Sequence, residues 1–334
     1  LLELLTEIIV HTELDDRKRL REIIQQMKSR YEMAISAQGV MFALFRMRSY
    51  FSPAGMYSEL ISGLAYYKFI ADLEKCFDKK ADEIVHNLRK VAALIFNRSN
   101  LLASFTSAEN DYRKLADNFN VLINELASER LEKVEYDFEL VRKNEGLLTP
   151  GKVQYVAKGY NFRHLGFNYT GHLRVLSKII ESDYLWNRVR VQGGAYGAMI
   201  NFSRNGNCMV GSYRDPNLKK TLTVFDQTAD HIRSFDVSNR EMTKYIIGTI
   251  SGLDFPLTPS MKGQSAAANY ISHLTQEDIQ RERDEVLSTG PEDIRNLTDM
   301  IAGIMQQDNF CVLGSEGKIM ENKDIFGKLV NIFE

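Results

Sequence analysis

Residues 196–203 alternate strictly, with Tyr196, Ala198, Ile200 and Phe202 on one face of an extended segment and Gly197, Met199, Asn201 and Ser203 on the other. Asn205-Gly206 follows directly. It is the strongest short hairpin signal, so residues 208–213 read as the return strand. The approach to this hairpin is unusual. A helix over 172–188 runs out into Arg188, Val189 and Arg190, and Gly193-Gly194 breaks the chain before the strand begins. One certain antiparallel hairpin among helices conflicts with a purely helical adaptor and with a doubly wound parallel sheet. The remaining class is α+β, a mixed or antiparallel sheet packed against helices.

The segment 144–151 (NEGLLTPG) is rich in turn formers and sets the expected domain boundary, with a helix-rich part over 1–145 and an α+β sandwich over 146–334. Ahead of it, helical spacing marks residues 1–11. A second helix opens at Asp15-Asp16 and can continue past Met33 to Phe45, and a third starts at Ser52-Pro53 and runs through Leu73. Further helices are predicted over 81–96 and 107–131, and residues 101–106 form the one clear strand of this half. That imbalance is expected if strands completing a sheet were lost upstream of Leu1. The chain also begins without Met, already in helical pattern, which points to a fragment or a trimmed chain. Beyond the boundary, residues 153–160 read as a strand and 310–314 (FCVLG) as a short buried one, followed by a helical tail. Helix starts are predicted at Asp215-Pro216, Ser238 with Glu241, Thr258-Pro259, Thr275 with Asp278, and Gly290-Pro291.

At 334 residues the chain can fill two cores, and its formal net charge of -2 gives no reason to expect nucleic acid or an anionic membrane as partner. No apolar run approaches the length of a membrane span. Cys76, Cys208 and Cys311 stand far apart without a CxxC pair. They suit reduced thiols in an intracellular compartment, cytoplasmic in a bacterium or an organellar lumen in a eukaryote.

Most familiar chemistry can be set aside. No two of the six histidines have the i, i+4 spacing of a helical zinc site, and Glu83 with His86 is a lone half-motif best read as a surface pair. This chain alone is expected to hold no catalytic metal. Gly193-Gly194-Ala195-Tyr196-Gly197 lies between a helix and a strand, the reverse of a phosphate loop, and lacks its Lys-Ser/Thr ending. No glycine-flanked nucleophile elbow or activated cysteine is evident, and residues 276–285 read as a solvated helix face. Arg190 and Tyr196 remain. A guanidinium offers a fork of donors to peptide carbonyls or carboxylates, and a phenol is a neutral donor able to support an oxyanion. The same spacing equally allows Arg190 as a helix C-cap and Tyr196 as an ordinary strand residue.

The stretch RVRVQGGAYG (188–197) resembles the C-terminal half of pitrilysin/insulinase-family zinc peptidases, in the branch of presequence proteases and falcilysin. Residues 15–30 (DDRKRLREIIQQMKSR) and 49–70 (SYFSPAGMYSELISGLAYYKFI) resemble the region characteristic of that branch. Residues 156–180 and 183–197 resemble its last domain. The resemblance implies an enzyme of two halves, each with two α+β domains of the mitochondrial processing peptidase type, closing around a peptide-filled chamber. This chain would be most of the third domain and the fourth. Zinc would lie in the N-terminal half, on a His-x-x-Glu-His helix that has no match here. Arg190 would hold the substrate backbone and Tyr196 would support the oxyanion, while Gly193, Gly194 and Gly197 let the chain turn and approach the peptide. The implied partners are a zinc-bearing N-terminal half and unstructured peptides, and the chain alone is expected to be inactive. The contrasting expectation is a non-catalytic scaffold or partner subunit of the same fold, which need keep neither Arg190 nor Tyr196.

Overall fold

The structure is a computed structural model describing residues 2–129 and 131–333. Leu1, Glu334 and Arg130, the last within the helix expected over 107–131, lie outside the described residues. The chain divides into two compact units: Leu1–Ser29, Phe69–Tyr136 and Pro256–Thr275 form one, and Arg30–Lys68, Asp137–Phe255 and Gln276–Glu334 the other. This differs from a single cut after residue 145, because residues 30–68 pack with the later part of the chain.

The first unit is helical. Leu2–Val10, Glu109–Asn118, Asn120–Glu125 and Pro259–Ile271 belong to it, with much of the 32-residue helix Leu64–Ile95. That long helix absorbs what the sequence divides into separate helices around Leu73 and Ala81. Thr258 caps its helix as predicted, accepting the Met261 N–H. Residues 101–106 are not a strand. They run through solvent without a ladder partner, and an extended segment of apolar residues becomes a strand only when another strand pairs with it.

The second unit holds a six-stranded mixed sheet of β1 (Glu145–Thr149), β2 (Gln154–Asn161), β3 (Gly197–Phe202), β4 (Asn207–Tyr213), β5 (Phe310–Ser315) and β6 (Lys328–Asn331). The order is β3-β4-β2-β5-β1-β6, with β1 parallel to β5 and β6 and the other pairs antiparallel. The hairpin forms as predicted, Gly206 taking φ +96° in its turn. Two segments differ from expectation. Residues 145–149 of the anticipated linker form β1, between Asn144 and Pro150-Gly151, and the expected helical tail returns after Glu316–Glu321 to form β6.

Both faces of the sheet are covered. Val156, Ile200, Phe202, Val210 and Val312 face Leu173, Leu176, Ile180, Phe225 and Ile301 of the flanking helices. On the other face Leu147, Tyr155, Ala157, Cys311 and Leu313 meet Ile35, Val40, Leu44 and Met47. Two covered faces explain why β5 reads as a continuous apolar run rather than an alternation. Glu145, at the start of β1, has no exposed surface. Arg46, from the helix Gly39–Arg48, donates to both its oxygens (2.6 and 2.9 Å), and the Tyr50 hydroxyl donates to one at 2.9 Å. Although burial raises the Glu145 pKa, the Arg46 contacts outweigh it and hold the carboxyl below its ordinary value. Arg46 also reaches buried Glu59 at 3.2 Å, where burial dominates and pushes the pKa up.

Candidate functional site

The helix leading to the hairpin starts as an α-helix, His172–Ile179, and widens into a π-helix over Ile180–Val191. Its inner side is fixed, with Tyr184, Leu185 and Val189 buried in the core. Gln192 N–H still donates five residues back, to Asn187 O at 3.0 Å. The chain then reverses. Gly194 takes φ +80°, its N–H donates to Arg190 O at 2.9 Å, and Ala195 N–H donates to Val189 O at 3.1 Å. Asn217 closes the turn by donating to Gly193 O at 2.6 Å. A Cβ at Gly193 would collide with Val189 O, and Gly194 occupies the left-handed region, so both glycines answer to the turn itself. Gly197 does not, since a Cβ there would meet nothing within 4 Å.

The Arg190 side chain takes no part in ending the helix. Its guanidinium carbon lies 4.1 Å from the Trp186 ring centre and 5.8 Å from that of Tyr196. It makes no hydrogen bond or ion pair with any described residue. Tyr196 precedes β3 and is 67% exposed, while Ile200 and Phe202 are buried, so the buried alternation starts only after it. Its N–H donates to Tyr213 O at 3.0 Å, its ring meets the Tyr213 ring at 5.8 Å edge-on, and its hydroxyl has no partner among the described residues. The result is an exposed cluster of Trp186, Arg190 and Tyr196 against half-buried Tyr213 beside a tight turn, with the donors of Arg190 and Tyr196 unused.

Sequence reasoning singles out Arg190 and Tyr196, which the structure brings together, but misses Trp186, Tyr213 and Arg214. The last follows β4 with φ +49° and its guanidinium 5.5 Å from the Tyr213 ring. The Trp186–Arg190 spacing of four along one helix carried the missing signal. Asp215 does not cap a helix directly. It is buried and accepts from Asn217 N–H (2.8 Å) and the Thr221 hydroxyl (2.7 Å), and the helix begins at Lys219.

Among the described residues there is no group of three or more His, Cys, Asp or Glu side chains placed to hold a metal ion. Zinc does not fit the residues present. Glu83 of the half-motif sits with Lys80 at 3.8 Å on an exposed surface. The three cysteines are free, and burial pushes the Cys208 and Cys311 thiols far up, away from thiolate chemistry. No helix among the described residues is long and apolar enough to cross a membrane.

Residues 144–315 match the PreP C-terminal domain family, and residues 1–73 match the family of segments associated with subfamily C of the M16 peptidases. The chain belongs to the pitrilysin/insulinase (M16) peptidase family. Within it the chain falls in the C-terminal half of presequence-protease-type members. Protein HypA of Clostridium perfringens is 44% identical over 333 residues, covering 100% of this chain and 34% of that protein. Presequence protease 1, chloroplastic/mitochondrial, of Arabidopsis thaliana is 33% identical over 305 residues, covering 90% of this chain and 28% of that protein. The chain thus spans about a third of the length of the curated relatives it matches. Among solved structures, pitrilysin aligns with a TM-score of 0.54 at 12% identity, over 93% of this chain and 32% of that one. A peptidase M16 inactive domain from Pseudomonas fluorescens aligns with a TM-score of 0.55 at 13% identity, over 93% of this chain and 73% of that one. At these identities the likeness is one of fold.

Proposed function

We propose that this chain is the metal-free half of a zinc-dependent endopeptidase that degrades unstructured peptides, and that Arg190 and Tyr196 are its contribution to the reaction. The observation carrying this reading is the exposed pair itself, two donors side by side with no hydrogen-bond or ion-pair partner among the described residues. Neither set of donors is spent on a contact with a described residue, which leaves both available to a peptide backbone. Arg190 holds the peptide backbone by donating to its carbonyls. Tyr196 donates its hydroxyl proton in a hydrogen bond to the scissile carbonyl oxygen as negative charge develops there, without giving the proton up. Gly193 and Gly194 make the turn that puts the pair at the surface, and Gly197 leaves open space beside Tyr196 for the peptide. Zinc belongs to the half of the peptidase outside this chain.

The test is hydrolysis of an unstructured peptide by this chain, alone and mixed with a zinc-bearing N-terminal half. Activity is expected only in the mixture. There, Tyr196→Phe lowers kcat by about 10²–10³-fold, the usual loss for one oxyanion donor, while zinc content is unchanged. Unchanged turnover in Tyr196→Phe removes that residue's role. Complex formation without hydrolysis favours a scaffold of the same fold.

A further inference from the structure

We propose that Trp186 is a positioning residue for the peptide contact made by Arg190, acting through the face of the guanidinium so that its in-plane donors stay free for substrate. The inference rests on the reading of Arg190 as a substrate contact. An arginine can be immobilised in two ways. An acidic partner does so by accepting from the N–H fork, which uses the donors a substrate would need. An aromatic ring does so from above the plane and uses none of them. Arg190 is held in the second way, 4.1 Å from the Trp186 ring centre, with Tyr196 at 5.8 Å and no acid among the described residues. Trp186 is well placed for this. It is four residues before Arg190 on a helix anchored from inside by Tyr184, Leu185 and Val189, so its backbone is fixed while its ring is 48% exposed. A large ring half in water offers the core little, and its contact with Arg190 gives it a purpose there.

The experiment measures steady-state cleavage of an unstructured peptide by the peptidase containing this chain. Trp186→Leu should raise KM roughly three- to tenfold with kcat changed by less than about twofold, the scale of one cation–π contact. Trp186→Phe should recover most of that loss. Trp186→Glu should not, because an acid four residues before Arg190 would occupy its donors. With Arg190→Ala in place, Trp186→Leu should add nothing. An equal Trp186→Leu loss in the presence and absence of Arg190, or full activity in Trp186→Glu, overturns the proposal and leaves the role of Arg190 standing. Unchanged KM in Arg190→Ala overturns both. The contact has its own readout, because Trp186 is the only tryptophan of this chain. Its emission should shift in Arg190→Ala, and an unchanged spectrum would show that the stack is not formed in solution.

Discussion

Glu145 shows what one residue can hide from sequence reasoning. A glutamate between an asparagine and a glycine reads as linker, yet here it starts a strand interior to the sheet. The group that makes this possible, Arg46, lies 99 positions earlier, beyond any local pattern. Removing Glu145 takes away the two-pronged partner of Arg46 and leaves it only Glu59, so Glu145→Ala should cost about 1.5–3 kcal/mol in urea unfolding. The pH dependence follows from its lowered pKa. The stabilisation is present above the ordinary carboxylate value of 4.5 and is lost as pH falls through the depressed folded value. Glu59 works in the opposite sense, since its raised pKa adds stability at low pH that is lost as pH rises through the folded value. Stability measured between neutral and acid pH should therefore fall less in Glu145→Gln than in the parent chain. An equally steep acid limb in both would assign the loss to other carboxylates.

At the scale of elements, local signals are legible in the sequence and pairing partners are not. Ser52 accepts the Gly55 N–H, and Ser238 with Glu241 forms the reciprocal capping box, because these contacts are made within one turn of chain. The hairpin is legible for the same reason, and β5 because its own apolar run signals cover on both faces. The strand expected over 101–106 fails because strand propensity says nothing about whether a partner exists, and β1 and β6 are missed because β6 pairs with β1 alone and β1 with β6 and the distant β5. The site divides similarly. The glycine turn is visible, whereas the outward face of the Ile180–Val191 helix is not. The three glycines allow a clean separation of roles. Gly194→Ala should destabilise by about 1–2 kcal/mol, the cost of a left-handed residue with a side chain, and thermal unfolding would report it. Gly193→Ala should also destabilise, since the turn must open to clear the Val189 carbonyl. Gly197→Ala should leave stability unchanged, so any loss of peptide cleavage there measures crowding of the peptide. Destabilisation by Gly197→Ala would place its role within the fold.

For the molecule as a whole, the sheet's second face is covered by residues far ahead of the matched C-terminal domain. Ile35, Val40, Leu44 and Met47 come from chain well before residue 144, and β6 lies beyond residue 315. A fragment of residues 144–315 is therefore a domain by sequence similarity but lacks one layer and one strand. It should bind a hydrophobic dye and show weak near-ultraviolet dichroism, where the whole chain shows neither defect. A compact, dye-free 144–315 fragment would mean that the sheet needs cover on one face only. The α+β class is legible because one hairpin among helices already fixes it. The make-up of each layer depends instead on contacts such as the Tyr155 hydroxyl donating to the Ser36 carbonyl, 119 positions away.

The position of β1 between β5 and β6 also bears on how the protein is born. When β1 leaves the ribosome, both strands that will flank it have yet to be translated. Its unpaired edges must wait while most of the remaining chain is made, a period in which open strand edges invite the wrong neighbours. The helix carrying Arg46 is already out, so the side-chain contact with Glu145 is a link of β1 that need not await the later strands.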